Sequence, residues 1–139
     1  MVLDTSTEFG TRADKRLHDD KIAWLVTVAP DGTPQPNPVW FLWEGESAVV
    51  YSLPKSHKVR NIARHPEVAL HLQSDDEGGD VIVLVGEARF NTTGLPANKV
   101  PAFQEKYRDG ITGIGMSPAK HAKDYSAAIR VTPTKIRGF

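Results

Sequence analysis

The stretch SLPKSHKVRNIARHP, residues 52–66, is the part of the sequence best suited to binding an anion. No acidic residue occurs between Glu46 and Glu67. The basic residues of this window are Lys55, His57, Lys58, Arg60, Arg64 and His65. A chain of zero formal net charge, with 17 Lys and Arg against 17 Asp and Glu, has therefore concentrated its cations here. Such a cluster can bind an anionic ligand or form a solvated surface, and composition alone leaves both interpretations open.

A helix predicted within this stretch would give the cluster a geometry. Leu53-Pro54 ends the preceding strand, and Ser56 is a suitable N-cap for a helix that runs to about Arg64. Three apolar residues at helical spacing form the face expected to pack on the rest of the fold: Val59, Ile62 and Ala63. The free amides and the dipole of a helix N-terminus attract anions, and Ser56 and Lys58 lie in that first turn. These features fit a phosphate cradle, and a surface helix with solvated cations is the alternative.

Other chemistries find little support. The absence of cysteine excludes disulfides and thiolate catalysis. The five histidines show no metal-ligand spacing, so we expect no bound metal. No GxGxxG or GxxxxGK[ST] motif occurs, and the acidic loop SDDEGGD lacks the EF-hand pattern and is expected to be a hairpin tip. Tyr107 and Tyr125 flank the region where a substrate pocket is expected, but no triad or carboxylate pair is visible, so no catalytic residue is assigned.

Length and composition indicate one globular domain over residues 1–139, with 40% apolar and 24% charged residues. The balanced charge gives no reason to expect nucleic acid or an anionic membrane as a partner. The N-terminus, MVLDTSTEFGTRADKR, has no apolar signal segment, and no apolar run approaches the roughly 20 residues of a membrane span. We therefore expect a soluble, cytoplasmic protein.

Strands separated by tight turns must position the cation cluster. The expected organisation is a helical lead-in over residues 1–21, a barrel core over 23–91, a helical segment over 92–125 with short helices at 98–107 and 118–124, and a terminal strand over 126–139. The core strands are AWLVTVA, QPNPVWFLW, AVVYS, VALHLQ and VIVLVGEARF. Prolines at 34, 36 and 38 predict an edge or irregular second strand, and Gly86 predicts a bulge. Six strands with few helices favour a mainly-β antiparallel barrel over a doubly wound sheet.

The order of short motifs resembles a known family. W-L-V-T-V-x-x-D-G-x-P is followed by P-V-W-F-x-W, then S-x-x-K-V-R-N-I-x-x-x-P-E-V-A-L, then G-E-A. This order is similar to that of the pyridoxamine 5'-phosphate oxidase-like split barrels, and more closely to the small flavin and deazaflavin oxidoreductases that use coenzyme F420. The similarity runs from about Trp24 to Phe90 and through the terminal strand. It implies a six-stranded split β-barrel and a homodimer with two cofactor sites at its interface.

The resemblance also implies which residues bind the cofactor. The family's phosphate-binding Ser and Lys fall on Ser56 and Lys58, with Arg60 and Asn61 continuing the motif. Its strand that faces the cofactor ring falls on Asn37, Pro38, Val39 and Trp40. An anionic oligoglutamate tail, which the deazaflavin carries, would have Lys55, Arg60 and Arg64 as partners.

Two departures from the family pattern bear on the choice of cofactor. His57 stands where the branch that binds flavin mononucleotide (FMN) often has Arg. Leu42 or Trp43 stands where a basic residue commonly follows the hydrophobic run of the second strand. Both departures favour F420. The resemblance thus implies an F420-dependent oxidoreductase that transfers a hydride from the reduced deazaflavin to an unsaturated or conjugated organic substrate. An FMN-dependent oxidoreductase of the same family and a carrier that binds a flavin or deazaflavin without turnover are the alternatives.

Overall fold

A curled antiparallel sheet makes up most of the protein. The computed structural model describes residues 2–139. The strands of this range are β1 (Ala23–Val28), β2 (Pro34–Val39), β3 (Leu42–Trp43), β4 (Ala48–Ser52), β5 (Glu67–Leu72), β6 (Ile82–Phe90) and β7 (Ala127–Gly138). They form one sheet in the order β2-β1-β5-β6-β7-β4-β3, with every pairing antiparallel. The mainly-β split barrel expected from the sequence is confirmed.

The strand count differs from the expected six because residues 35–43 form two strands instead of one. β2 pairs with β1 at one edge of the sheet, whereas β3 pairs with β4 at the other edge. The chain crosses between these edges at Trp40 and Phe41, which lie in neither strand. The sheet therefore has seven strands within residues 2–139, and the segment that joins its two edges includes Trp40, which was predicted to face a cofactor.

β2 is an edge strand, as its prolines predict. Pro34, Pro36 and Pro38 alternate along it and are all exposed, while the intervening Gln35 and Asn37 are half-buried. In an antiparallel ladder, alternate residues direct their N–H groups toward the same side. The three missing N–H groups therefore lie on the outer side of β2, where they blunt the edge against pairing with another strand.

The predicted bulge at Gly86 is also present. The register between β6 and β7 shifts between Val85 and Gly86. A Cβ on Gly86 would lie 2.1 Å from the carbonyl oxygen of Thr132, so only glycine fits this close approach of two backbones. The bulge adds curvature where the longest pair of strands must bend to close the half-barrel.

Within the described residues, four helices cover the sheet: α1 (Glu8–Asp19), α2 (His57–Arg64), α3 (Pro101–Gly113) and α4 (Pro118–Asp124), with a 3-10 turn at Ala97–Lys99. The helices predicted in the lead-in and at residues 118–124 are present. The helix predicted over residues 98–107 corresponds to α3, which begins and ends later. Pro101 occupies the first turn of α3, and Gly110 does not end the helix. Among residues 2–139, no helix is long and apolar enough to cross a membrane.

In the part of the chain that the structure describes, two apolar clusters hold these elements together. The larger fills the barrel with side chains that alternate along the strands, and α1 covers it through Ala13 and Leu17, both fully buried. The smaller lies between α3, α4 and the crossing at Trp40; its buried members are Ala97, Phe103, Tyr107, Ile111 and Ala122. Trp40 and Tyr51 pack against this second cluster, which positions one side of the candidate site.

Candidate functional site

The helix α2 begins where the sequence predicts, but its capping residue is not used as a cap. Ser56 is the N-cap residue, yet its hydroxyl makes no hydrogen bond to the first turn of the helix. The Ser56 Oγ is instead buried, with no hydrogen-bond partner within the described residues. The unpaired amides of a first helical turn need an acceptor, and a buried hydroxyl needs a partner. Both requirements fit a phosphate group at this turn.

Asn61 fixes the position of α2 on the sheet. Its side-chain amide donates to the Thr27 Oγ1 at 3.0 Å and to the Gln35 Oε1 at 2.7 Å. Its Oδ1 accepts from the Arg64 Nη2 at 2.9 Å. Asn61 is buried, whereas Ala63, which the helical spacing assigns to the packing face, is exposed. That assignment is wrong because a polar anchor on β1 and β2 rotates the helix toward Asn61.

The Lys and Arg residues of positions 55–64 have no carboxylate partners in the described part of the chain. Among residues 2–139, neither Lys55, Lys58, Arg60 nor Arg64 forms an ion pair. Lys58 is half-buried, and this burial lowers the pKa of its ammonium group. A bound anion would offset the loss of water around such a charge. Arg60 is exposed and lies 3.2 Å from the Nδ1 of His57 through its Nη2.

A cavity of about 270 Å³ opens beside Lys58. Its lining combines the end of β2, the end of β4, the first turn of α2, and residues of α3 and α4. The residues are Pro38, Val39, Trp40, Tyr51, Ser52, Lys58, Phe103, Ile114, His121 and Tyr125. The walls are mostly aromatic or apolar, with three convergent polar side chains, which is the usual composition of a small-molecule site.

An aromatic stack forms one wall of this cavity. The ring of Trp40 stacks on that of Tyr107, with centroids 4.8 Å apart, and on that of His121 at 5.5 Å. His121 stacks in turn on Tyr125 at 4.9 Å. A Cβ on Gly110 would lie 3.2 Å from the Trp40 ring, so this glycine lets α3 approach the stack closely. The stack therefore fixes the orientation of the Trp40 and His121 side chains.

Two polar side chains of the cavity are almost fully buried and unsatisfied. Ser52 is 1% exposed and His121 is 2% exposed. Neither the Ser52 Oγ nor the His121 Nδ1 has a hydrogen-bond partner within residues 2–139. Burial lowers the pKa of His121 below its ordinary value and outweighs the opposite effect of Asp124, so the imidazole is neutral near pH 7.

The structure brings only some of the predicted site residues together at the cavity. Pro38, Val39, Trp40 and Lys58 line it. The other predicted cofactor residues do not: Asn37, Lys55, Ser56, Arg60 and Asn61. Ser56 lies two residues before Lys58, and Lys55 and Arg60 are exposed. Their contact with a cofactor stays a prediction.

Sequence reasoning missed the lining residues that come from distant parts of the chain. These are Tyr51, Ser52, Phe103, Ile114 and His121, whereas Tyr125 was expected near a pocket and lines this one. The only signal for His121 was a histidine in a predicted helix near Tyr125, which does not distinguish a site residue from a surface one. A second cavity of about 270 Å³ lies beyond Tyr51 and Tyr125, which line both.

The curled antiparallel sheet and the helices that cover it define a split-barrel protein. The family model described as pyridoxamine 5'-phosphate oxidase matches residues 10–139. The chain therefore belongs to the pyridoxamine 5'-phosphate oxidase family, which binds flavins and includes oxidoreductases.

Solved structures agree with this assignment. One named F420 reductase is 30% identical, with a TM-score of 0.69, and the match covers 89% of this chain and 94% of that one. A conserved hypothetical protein from Mycobacterium tuberculosis is 22% identical with a TM-score of 0.71, over 94% of this chain and 82% of that one. The heme storage protein HutZ from Vibrio cholerae is 15% identical with a TM-score of 0.62, over 99% and 95% of the two chains. The last two show the fold alone. No curated protein matches the chain.

Proposed function

We propose that the protein is an F420-dependent oxidoreductase that transfers a hydride from the reduced deazaflavin to an unsaturated or conjugated organic substrate. The observation that carries the proposal is the position of Lys58. Lys58 lies in the first turn of α2, is half-buried, has no carboxylate partner within residues 2–139, and lines an aromatic cavity. A site that pairs an anion-binding turn with an apolar space suits a cofactor made of a phosphate and a flat ring. The 30% identity to a protein named F420 reductase supports F420 as that cofactor.

The residues present fit this cofactor. Ser56 and Lys58 would hold its phosphate, since one offers a buried hydroxyl without a partner and the other a desolvated ammonium group. The exposed Lys55, Arg60 and Arg64 would attract the anionic tail. Asn37, Pro38, Val39 and Trp40 would position the ring, and Asn61 would hold α2 in register with β1 and β2.

The protein's own part in such a reaction is binding and exclusion of water. When bound, reduced F420 supplies the hydride, so no nucleophile or carboxylate pair is required of the chain. The aromatic walls from Trp40, Phe103 and Tyr125 would exclude water from the reacting atoms and orient the substrate ring.

We propose in addition that the protein is a homodimer with a cofactor site at its interface. Pro38, near the end of the edge strand β2, lines the cavity and is exposed to solvent. A second copy placed there would close the site and cover the tail-binding cations of α2. Light scattering at micromolar concentration should give the mass of two chains, and the mass of one chain would contradict this proposal.

A titration of the purified protein with F420 and with FMN tests the cofactor. We expect F420 to bind more tightly, with an affinity that falls as salt is added because the ligand is polyanionic. Equal or tighter binding of FMN would replace the proposal with an FMN-dependent oxidoreductase. F420 binding without oxidation of the reduced cofactor by any conjugated substrate would indicate a carrier.

A further inference from the structure

Two of the buried polar atoms without partners lie at one cavity. The unsatisfied buried side-chain atoms of residues 2–139 are the Ser52 Oγ, the Ser56 Oγ and the His121 Nδ1. Ser56 belongs to the proposed phosphate cradle. Ser52, at the end of β4, and His121, on α4, come from unrelated elements, yet both line the aromatic cavity. Burying a polar group without a hydrogen-bond partner costs folding free energy. The presence of two such groups at one cavity therefore indicates a ligand that forms hydrogen bonds with both.

The surrounding groups restrict the chemistry of that ligand. Most of the wall is aromatic or aliphatic, and the volume of about 270 Å³ admits one small ring system. The imidazole of His121 is held in place by stacking on Trp40 and Tyr125. It is neutral near pH 7 because burial lowers its pKa, so it offers a neutral N–H or a lone pair and does not attract a counterion.

We propose that the Ser52 hydroxyl and the His121 Nδ1–H together bind a carbonyl oxygen at the edge of a planar ring compound, whose faces lie against the apolar wall of the cavity. Lys58 of the phosphate cradle lines the same cavity, but Ser52 and His121 differ from it because both are neutral and almost fully buried. The assignment of this ring compound as the hydride acceptor rests on the proposed function. The binding itself requires no cofactor, so the two can fail separately.

Two small probes of the same skeleton test the proposal in the protein without added cofactor. 1-Indanone carries a ring carbonyl, and indane is the same bicycle without it. NMR titrations would follow the Trp40 indole and the His121 ring and give a Kd for each probe. The ratio of the two Kd values isolates the contribution of the carbonyl oxygen from that of the ring.

Two variants remove the hydrogen-bonding atoms and preserve the shape of the cavity. Ser52→Ala deletes the hydroxyl, and His121→Phe keeps a ring in the stack but removes both nitrogens. Each should weaken 1-indanone binding by roughly 2- to 12-fold, the worth of one net hydrogen bond, and leave indane binding unchanged. Each should also leave the Tm unchanged or raise it, because a buried unsatisfied atom is removed.

Ser47→Ala is the matched control. Ser47 is also a buried serine, at 8% exposure, but its Oγ accepts a hydrogen bond from the Arg130 Nη1 at 2.6 Å. It does not line the cavity. This variant should lower the Tm and leave both Kd values unchanged. The proposal is overturned if 1-indanone shifts neither the Trp40 nor the His121 resonance. It is also overturned if the ratio of the Kd values for 1-indanone and indane is the same in wild type and Ser52→Ala. It is equally overturned if Ser52→Ala lowers the Tm as Ser47→Ala does, since the hydroxyl would then serve the fold.

Discussion

The rings of Trp40 and Tyr107 stack with their centroids 4.8 Å apart and their planes inclined by 11°. The Tyr107 hydroxyl accepts from the Phe41 N–H at 2.8 Å and lies within hydrogen-bond distance of two carbonyl oxygens, Phe41 at 2.9 Å and Lys21 at 2.8 Å. Burial raises the pKa of this phenol far above its ordinary value, so it stays protonated. One side chain of α3 therefore positions both the ring and the backbone where the chain crosses between the sheet edges.

Tyr107→Phe tests this arrangement. The ring stack would remain, but the buried Phe41 N–H would lose its acceptor, and we expect a loss of about 1–3 kcal/mol in the free energy of unfolding. Urea unfolding followed by circular dichroism measures it. Tyr125→Phe is the control, because the Tyr125 ring stacks on His121 while its hydroxyl makes no hydrogen bond within residues 2–139. Equal stability losses in the two variants would contradict the role assigned to the Tyr107 hydroxyl.

Gly86→Ala should damage the barrel. The new Cβ would lie 2.1 Å from the Thr132 carbonyl oxygen, so the β6–β7 pairing must shift, at a cost on the order of 3 kcal/mol. Gly113→Ala is the control, since a Cβ there meets nothing within 4 Å, and the helix gains a better former. Thermal unfolding of the two variants should give a large decrease in Tm for the first and little change for the second. Comparable Tm values would show that the bulge tolerates a side chain.

His121 should make stability fall in mild acid. Its pKa in the folded protein lies below the ordinary 6.5, mainly because of burial. As the pH falls through 6.5 toward that lowered pKa, the unfolded chain takes up a proton that the folded imidazole does not, so the folded state loses stability. The loss is about 1.4 kcal/mol for each unit by which the pKa is lowered. Urea unfolding at pH 7.5 and 5.5 should show this difference in wild type and a smaller one in His121→Phe. An identical difference in both proteins would exclude His121 as its source.

Much of the fold could be predicted from local patterns. Alternating apolar strands, the prolines at 34, 36 and 38 and the glycine at 86 each impose a local backbone requirement, and each predicted feature is present. The division of β2 from β3 could not be predicted in the same way. The run through Trp40 and Phe41 is as apolar as a strand, and only the pairing of its two halves with opposite sheet edges interrupts it.

The candidate site was predictable where its residues are close in sequence. Lys58 and the run from Pro38 to Trp40 line the cavity, and each was indicated by a short motif. Ser52 and His121 gave no such signal, because what distinguishes them is a buried atom without a partner, which exists only once the chain is folded. Helical spacing also misplaced Ala63, since a buried amide on Asn61 outweighed the apolar pattern.

Lys58→Ala should weaken F420 binding without unfolding the protein. A hydrogen bond to a charged group contributes about 1.5–3 kcal/mol, so the loss corresponds to roughly a 10- to 150-fold increase in Kd. The fold should survive because the ammonium group has no partner within residues 2–139 and its burial already lowers its pKa. Fluorescence titration of F420 measures the change, and circular dichroism checks the fold.

Arg64→Ala is the control for that prediction, because it also removes a cation from α2. Unlike Lys58, the Arg64 side chain is exposed and hydrogen-bonded to Asn61. We expect it to raise the Kd for F420 by less than about 3-fold, as for an exposed charge. Because Lys58 would contact the phosphate directly, its loss should also reduce the salt dependence of binding more than the loss of Arg64 does. A correctly folded Lys58→Ala variant with wild-type affinity for F420 would mean that the cations of residues 55–65 are a solvated surface, and the cofactor site would have to be sought elsewhere on the barrel.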